Sequence, residues 1–131
     1  MPALKMKILV VDDFSTMRSM IKNELKLHGC ENVDEAEDGV QALGKINKGG
    51  YDVLITDWHM PKMDGLELLK TIRKDRLLKN MPVLMISSEA EKDKIMSVLN
   101  AGVSSYLVKP FTAEVFKKKI DQLLDKLSLN T

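Results

Sequence analysis

Charged and hydroxyl side chains follow four short apolar segments of this sequence. The segments span residues 8–11, 53–55, 83–86 and 104–108, and the last of them is half polar. If these segments are parallel strands, the groups that follow them meet at one edge of a sheet, because the carboxyl ends of parallel strands share that edge. The groups are Asp12 and Asp13, Asp57, Ser87 with Ser88, and Lys109 before Pro110.

Such a set of side chains favours binding of a cation and a phosphate group. Three carboxylates brought within a few ångströms repel one another and raise one another's pKa unless a cation is present. Mg²⁺ suits the site best, because it uses few carboxylates and keeps places for water and phosphate oxygens. Each residue alone has an ordinary explanation, since an Asp after a strand commonly caps a helix and a lone Lys is commonly solvated. The combination is what indicates chemistry.

The elements that would position these side chains alternate along the chain. Residues 8–11, 53–55 and 83–86 are continuous runs of strand-forming residues, as is typical of strands that are covered on both faces. Residues 32–36 and 104–108 are more polar, which suits strands at the margins of a sheet. Between the strands, apolar residues recur at helical spacing over 17–25, 40–46, 68–72, 95–99 and 116–127. This pattern predicts an α/β fold with a doubly wound parallel sheet and helices on both faces.

Helix starts are marked in the sequence by residues that resemble capping boxes. These are Asp38 with Gln41, Asp64 with Glu67, and Ser88 with Glu91, while Thr112 can cap the last helix. We therefore expect the four loops that follow the relevant strands to turn directly into helices.

Composition limits the functions that the chain could have. With 131 residues, of which 44% are hydrophobic, the chain can form one domain, which we place at residues 6–127 with short tails at 1–5 and 128–131. The net charge of +1 gives no basic field for nucleic acid, and the apolar runs are far shorter than the roughly 20 residues of a membrane helix. The single cysteine, Cys30, cannot form an internal disulfide. We expect a cytoplasmic protein that neither binds nucleic acid nor enters a membrane.

The residues at the strand ends resemble a known family. Asp12-Asp13, the Asp57 of LITDWHMPKMDG, Ser87 and the Lys109-Pro110 step together resemble the receiver domain of two-component response regulators. The resemblance covers nearly the whole chain and is greatest to the stand-alone, CheY-like chemotaxis regulators. It implies a flavodoxin-like (βα)5 fold with strand order 2-1-3-4-5, which agrees with the central and marginal strands inferred above.

The resemblance also assigns chemistry to individual residues. Asp57 would be the phosphoacceptor, a nucleophile that forms an aspartyl phosphate. Mg²⁺ would be bound by Asp13 and Asp57 with the backbone carbonyl of His59, while Asp12 would hold a bound water. Lys109 would contact the phosphoryl oxygens. The protein would thus promote its own phosphorylation and dephosphorylation without being an enzyme that acts on other substrates.

A switch and an output surface follow from the same resemblance. Ser87 would donate its hydroxyl to the phosphoryl group, and Tyr106 would rotate into the vacated space. The partner surface would include Lys92, Ile95, Tyr106 and Lys119. The partners would be a histidine kinase of the chemotaxis type, the flagellar motor switch protein and a phosphatase. Because the sequence ends after the fifth helix, we expect the protein to signal in trans. We also expect it to be a monomer.

Three alternatives share some of these features. Within the regulator family, the chain could be a phosphorelay intermediate that passes its phosphoryl group to a second histidine protein. A phosphatase of the haloacid dehalogenase type would need a second Asp two positions after Asp57, where this chain has His59. A flavodoxin would need a phosphate loop rich in Ser, Thr and Gly after the first strand, where Asp12 and Asp13 would repel the flavin phosphate.

Overall fold

Five strands alternate with five helices along the chain. The computed structural model describes residues 5–129; residues 1–4 and 130–131, on which most of the predicted tails 1–5 and 128–131 fall, lie outside the described residues. The elements are β1 Lys7–Val11, α1 Ser15–Leu27, β2 Asn32–Ala36, α2 Gly39–Asn47, β3 Val53–Asp57, α3 Gly65–Lys74, β4 Val83–Ser87, α4 Lys92–Asn100, β5 Ser105–Val108 and α5 Ala113–Leu129. The predicted alternation of strand and helix is confirmed.

The strands form one parallel sheet in the order β2-β1-β3-β4-β5. The predicted order is therefore confirmed, with the two more polar strands, β2 and β5, at the edges. In the centre, Val11 pairs with Thr56 and Asp57 pairs with Ile86. This register brings the carboxyl ends of β1, β3 and β4 level with one another. The strand order reverses at β1 and β3, where an open parallel sheet leaves a crevice for ligands.

Two apolar layers hold the sheet in place, one on each face. Alternate residues of β1 face opposite sides, so that Ile8 and Val10 pack with α1 and α5, whereas Leu9 and Val11 pack with α2, α3 and α4. Burial of each such side chain contributes about 1.5–3 kcal/mol. The two packed layers therefore hold the carboxyl ends of the strands in fixed positions. In the described part of the chain, no helix is both long and apolar enough to cross a membrane.

Three of the predicted helix caps are present. The carboxylate of Asp38 accepts the backbone N–H of Gln41 at 2.8 Å, and that of Asp64 accepts the backbone N–H of Glu67 at 2.9 Å. The hydroxyl of Thr112 accepts the N–H of the residue three positions later at 3.1 Å. Each bond satisfies one of the free N–H groups at a helix start.

The predicted cap of α4 is wrong. The helix begins at Lys92 after an extended Glu91 that makes no side-chain cap bond, so Ser88 does not cap it. The local hydroxyl bond is made one residue earlier instead, where Ser87 Oγ accepts the backbone N–H of Glu89 at 3.2 Å. This bond turns the chain away from β4 before the helix starts, and it leaves Ser88 exposed.

Candidate functional site

Three carboxylates lie together at the carboxyl ends of β1 and β3. Asp12 and Asp57 are buried, with exposed fractions of 1% and 8%, whereas Asp13 is exposed. One oxygen of each carboxylate lies within 4.8 Å of one oxygen of each of the others. They meet because β1 and β3 are parallel neighbours in which Val11 pairs with Thr56, so that the next residues, Asp12 and Asp57, follow at the same level. The predicted convergence of these aspartates is therefore seen in the structure.

A lysine from the end of β5 completes the cluster. Lys109 Nζ lies 3.1 Å from Asp12 Oδ2 and 3.3 Å from Asp57 Oδ2. Its backbone N–H donates to the carbonyl of Ser87 at 2.8 Å, which fixes the end of β5 against β4. From this anchored position the side chain reaches both β1 and β3, so one ammonium serves two buried carboxylates.

Backbone donors set the orientation of the two buried carboxylates. Asp12 Oδ1 accepts the N–H of Phe14 at 2.9 Å, and Asp57 Oδ1 accepts the N–H of Trp58 at 2.7 Å. In each case Oδ1 is held by the following loop while Oδ2 faces Lys109. The side chains are therefore placed for chemistry before any ligand arrives.

The charge of the cluster is unbalanced. Three carboxylates and one ammonium carry a formal charge of −2. Burial is the main cause of a raised pKa at Asp57, and the charge of Asp12 raises it further, while Lys109 and the N–H of Trp58 act in the opposite direction. A divalent cation would cancel the excess charge. Two buried carboxylates and one at the rim, all oxygen donors, fit Mg²⁺ with room for water and phosphate oxygens.

Ser87 is fully buried at the end of β4, between β3 and β5. Its Oγ accepts the N–H of Glu89 at 3.2 Å. The register pairs Ser87 with Val108 and Asp57 with Ile86, so the hydroxyl stands one strand away from the carboxylate cluster.

Tyr106 on β5 is half buried and turned toward the same loop. Its hydroxyl donates to the backbone carbonyl of Glu89 at 2.8 Å, and its ring meets Trp58 edge to face with centroids 6.4 Å apart. Burial raises the pKa of Tyr106. The loop after β4 is therefore held at one residue by two groups, because Ser87 binds the N–H of Glu89 and Tyr106 binds its carbonyl.

His59 follows the acceptor candidate by two positions and presents its side chain to solvent. The imidazole is 59% exposed and stacks on the buried Trp58, with ring centroids 5.2 Å apart and an interplanar angle of 11°. Its Nε2 lies 3.9 Å from Glu89 Oε1. The side chain thus bridges the loops after β3 and β4 and stays available at the mouth of the site.

Glu89 is a residue that the sequence analysis missed. Its carboxylate lies 3.2 Å from Lys94 Nζ, and this hydrogen bond lowers the pKa of Glu89. The one sequence feature that could have pointed to Glu89 is its position two residues after Ser87, in the loop that follows β4. The run SSEAE contains two acids, Glu89 and Glu91, and the sequence alone does not favour one over the other.

The residues of the predicted partner surface lie away from the carboxylates. Lys92 is the first residue of α4 and is exposed, Ile95 on the same helix is half buried, and Lys119 on α5 is half buried. The side chain of Lys119 lines a shallow cavity of about 240 Å³ beside the start of β5. The two helices pack on opposite faces of the sheet, and Tyr106 lies on the edge strand β5.

Comparison with known proteins agrees with this geometry. Residues 8–121 match the response regulator receiver domain family. Chemotaxis protein CheY-3 of Vibrio cholerae is 52% identical over 122 residues, which cover 93% of this chain and 94% of that protein. Chemotaxis protein CheY of Pseudomonas aeruginosa is 50% identical over 123 residues, which cover 94% of this chain and 99% of that protein.

Solved structures show the same fold. The chemotaxis response regulator CheY4 of Vibrio cholerae superposes with a TM-score of 0.83 at 36% identity, covering 90% of this chain and 98% of that chain. A CheY-like receiver domain protein of Methanospirillum hungatei superposes with a TM-score of 0.85 at 29% identity, covering 96% and 98%. The chain therefore belongs to the response regulator receiver domain family, with CheY-like chemotaxis proteins among its relatives.

Proposed function

We propose that residues 6–127 form a receiver domain that accepts a phosphoryl group from a histidine kinase on Asp57 in a Mg²⁺-dependent reaction. One observation carries the proposal: a buried carboxylate at the end of the central strand lies beside two further carboxylates and the ammonium of Lys109. Members of this CheY-like family are regulators and not classical enzymes. The chemistry proposed here modifies the regulator itself.

Asp57 acts as the nucleophile. A carboxylate oxygen forms a bond to phosphorus as the bond between phosphorus and the kinase imidazole breaks, and the released imidazole takes up a proton from solvent. The approach is set in advance, because Trp58 holds Oδ1 and Lys109 lies 3.3 Å from Oδ2. Transition states of this kind need mainly positioning and charge stabilisation. Lys109 supplies both, since its ammonium can contact the incoming phosphoryl oxygens. Hydrolysis of the acyl phosphate later restores the carboxylate.

Asp12, Asp13, Asp57 and the backbone carbonyl of His59 would hold the Mg²⁺. When bound, the ion neutralises negative charge on the phosphoryl oxygens. Asp13 is the exposed member of the set, so it faces the side from which water and the donor arrive. The carboxylate of Asp12 already accepts hydrogen bonds from Lys109 Nζ and from the N–H of Phe14. A carboxylate held in this way suits the role of holding a metal-bound water.

Ser87 and Tyr106 convert the new charge into a change of shape. The phosphoryl group adds about −1.5 to −2 charges and strong acceptor oxygens, which compete for the hydroxyl of Ser87. When Ser87 turns toward them, the N–H of Glu89 loses its acceptor. The carbonyl of Glu89 holds Tyr106, so movement of this residue releases the tyrosine hydroxyl as well. The effect then reaches the partner surface through α4 and β5.

The output is chemotaxis control of the flagellar motor switch in the cytoplasm, by a monomer that acts in trans. Support comes from relatives that are chemotaxis proteins and from the accessibility of the proposed surface, on which Lys92 is exposed and Ile95 and Lys119 are half buried. A phosphatase that shortens the signal would be a further partner.

The test uses isothermal titration calorimetry to measure binding of the purified protein to a peptide from the N-terminus of a flagellar motor switch protein. Beryllofluoride, a phosphoryl analogue, should strengthen binding only when Mg²⁺ is present, and Asp57→Asn should abolish the gain. Equal affinity with and without beryllofluoride would refute the motor assignment. Transfer of the phosphoryl group to a second histidine protein, without binding to the peptide, would identify a phosphorelay intermediate instead.

A further inference from the structure

The loop between β3 and α3 contains a strained turn. The N–H of Met63 donates to the carbonyl of Pro61 at 2.8 Å, and Lys62 between them has a φ of 69°. This is a γ-turn of the rare form in which a residue other than glycine adopts a positive φ. Such conformations persist only where the surrounding structure holds them. The loop therefore needs an external support.

The support comes from the junction of β2 and α2. The N–H of Gly39, the first residue of α2, donates to the carbonyl of Met63 at 3.0 Å. Beside it, the buried Asp38 places Oδ2 3.8 Å from the ammonium of Lys62. Two neighbouring residues of one junction thus contact the two residues that form the second half of the strained turn.

The contact at Gly39 is too close for any side chain. A Cβ at this position would lie 2.5 Å from the carbonyl oxygen of Met63 and 2.7 Å from its Cγ. The φ of Gly39 lies outside the left-handed region, so proximity and not backbone conformation requires the glycine. Because the obstruction includes a backbone oxygen, a larger residue would have to move the whole turn.

Both ends of this loop are fixed as well. It leaves β3 at Asp57, and the N–H of Gly65 donates to the carbonyl of Trp58 at 2.6 Å where α3 begins. A Cβ at Gly65 would collide with the backbone carbonyl of Asp57. With the ends closed, the contact at Gly39 sets where the middle of the loop lies, and the same loop carries His59.

We propose that Gly39 is a positioning residue for the metal: by bracing the turn at Met63, it fixes the loop after Asp57 that carries the carbonyl of His59. This inference rests on the proposed function, in which that carbonyl is a ligand. Gly39 is not among the residues that would hold the ion. Gly39 contributes by letting the junction of β2 and α2 lie close against the loop between β3 and α3. The residues at the strand ends do not provide this contact.

The test compares Gly39→Ala with Gly44→Ala. Gly44 lies on the same helix, and a Cβ there meets nothing within 4 Å, so this variant is a matched control. Mg²⁺ is titrated against the emission of Trp58, and melting is followed by far-ultraviolet circular dichroism without Mg²⁺. Gly39→Ala should need roughly 10- to 100-fold more Mg²⁺ for half-saturation, as is usual when a residue supporting a metal ligand is changed. Gly44→Ala should keep the wild-type Mg²⁺ midpoint, while its melting temperature should rise slightly, because alanine favours the interior of a helix over glycine.

The dependence of labelling on Mg²⁺ separates positioning from general damage. With acetyl phosphate as donor, Gly39→Ala should be labelled slowly at limiting Mg²⁺ and should recover toward the wild-type rate at saturation. A reduced rate at every Mg²⁺ concentration, with an unchanged midpoint, would overturn the proposal.

Hydrogen exchange of the wild type gives a second test that does not depend on the variant folding. Coupling between two sites is reciprocal, so if the Gly39 contact aids Mg²⁺ binding, then Mg²⁺ must strengthen the contact. Saturating Mg²⁺ should slow exchange of the Gly39 amide more than that of the Gly44 amide. Equal changes at both amides would overturn the proposal.

These measurements distinguish a failure of the proposed function from a failure of the role of Gly39. If the wild type binds no Mg²⁺ or is not labelled on Asp57, the proposed function is wrong, and the role of Gly39 falls with it. If the wild type binds Mg²⁺ and is labelled on Asp57 but Gly39→Ala has the wild-type midpoint, only the role of Gly39 is wrong.

Discussion

Asp13→Asn should make the protein more stable without Mg²⁺ and less stable, relative to the wild type, with it. Asp13 is exposed, and its carboxylate lies within 4.8 Å of those of Asp12 and Asp57. In the absence of the ion it therefore experiences repulsion from two buried charges. The asparagine keeps the size of the side chain and removes the charge, so the repulsion disappears.

The expected size of the effect follows from the separation of the charges. At 4.8 Å in a medium with the dielectric constant of water, each like-charge pair costs about 0.9 kcal/mol. Salt and the attraction of Lys109 reduce the total, so the net gain in the free energy of unfolding should be about 1 kcal/mol. That corresponds to a rise of roughly 3–5 °C in the melting temperature of a domain of this size.

Mg²⁺ should reverse the order of stability. At a concentration 100 times its dissociation constant, a ligand of the folded state adds about 2.7 kcal/mol to the free energy of unfolding. The wild type should gain this amount, whereas Asp13→Asn, with one ligand fewer, should gain much less. The order of the two melting temperatures should therefore cross as Mg²⁺ is added.

The assay is thermal unfolding followed by circular dichroism, with chelator and then over a series of Mg²⁺ concentrations at constant ionic strength. Asp125→Asn on the exposed side of α5 makes the same change in net charge far from the cluster and serves as the control. If Asp13→Asn were less stable than the wild type in chelator, or if Mg²⁺ raised both melting temperatures equally, the electrostatic argument would be refuted.

Three further predictions concern Lys109, Arg73 and Tyr51. Lys109→Arg should still be labelled on Asp57 but should lose the gain in partner binding, because a planar guanidinium cannot replace a compact ammonium; normal coupling, measured by calorimetry, would contradict this. Arg73→Ala should lower the free energy of unfolding by about 2 kcal/mol in urea titrations, because the guanidinium donates to the backbone carbonyls of Gly102 and Met81 at 2.9 and 2.7 Å. An unchanged urea midpoint would contradict this. Burial and a hydrogen bond to Asp34 raise the pKa of Tyr51 to about 12, so the stability that the neutral phenol contributes is complete below pH 10 and is lost as the pH rises toward 12. Tyr51→Phe should lack this loss of stability, and parallel profiles of unfolding free energy against pH for the two proteins would contradict the prediction.

The sequence predicted the sheet and the carboxylate cluster because both depend on simple patterns. Continuous apolar runs ending at Val11 and Ile55 mark central strands, and parallel strands necessarily bring their carboxyl ends to one edge. Given that geometry, Asp12, Asp57 and Lys109 had to converge. The distances could not be predicted, but the set of residues could.

What the sequence did not predict depends on contacts between distant loops. The start of α4 was misplaced because the run SSEAEKD offers several capping residues, and only the bond from the Glu89 N–H to Ser87 decides between them. The contact of Gly39 with Met63 joins two loops that are not adjacent in sequence, so no local pattern marks it. The position of the His59 side chain depends in the same way on where the Trp58 ring packs.

The most direct test of the central claim is the identity of the residue that becomes phosphorylated. The wild type is incubated with acetyl phosphate and Mg²⁺, the acyl phosphate is trapped by reduction with borohydride, and the modified peptide is mapped by mass spectrometry. Asp57→Asn is the matched control, since the amide keeps the acceptor for the N–H of Trp58. The account predicts modification of Asp57 alone, dependent on Mg²⁺ and absent from the control. Modification of Asp12 or Ser87 in the wild type, or equal modification of Asp57→Asn, would contradict it.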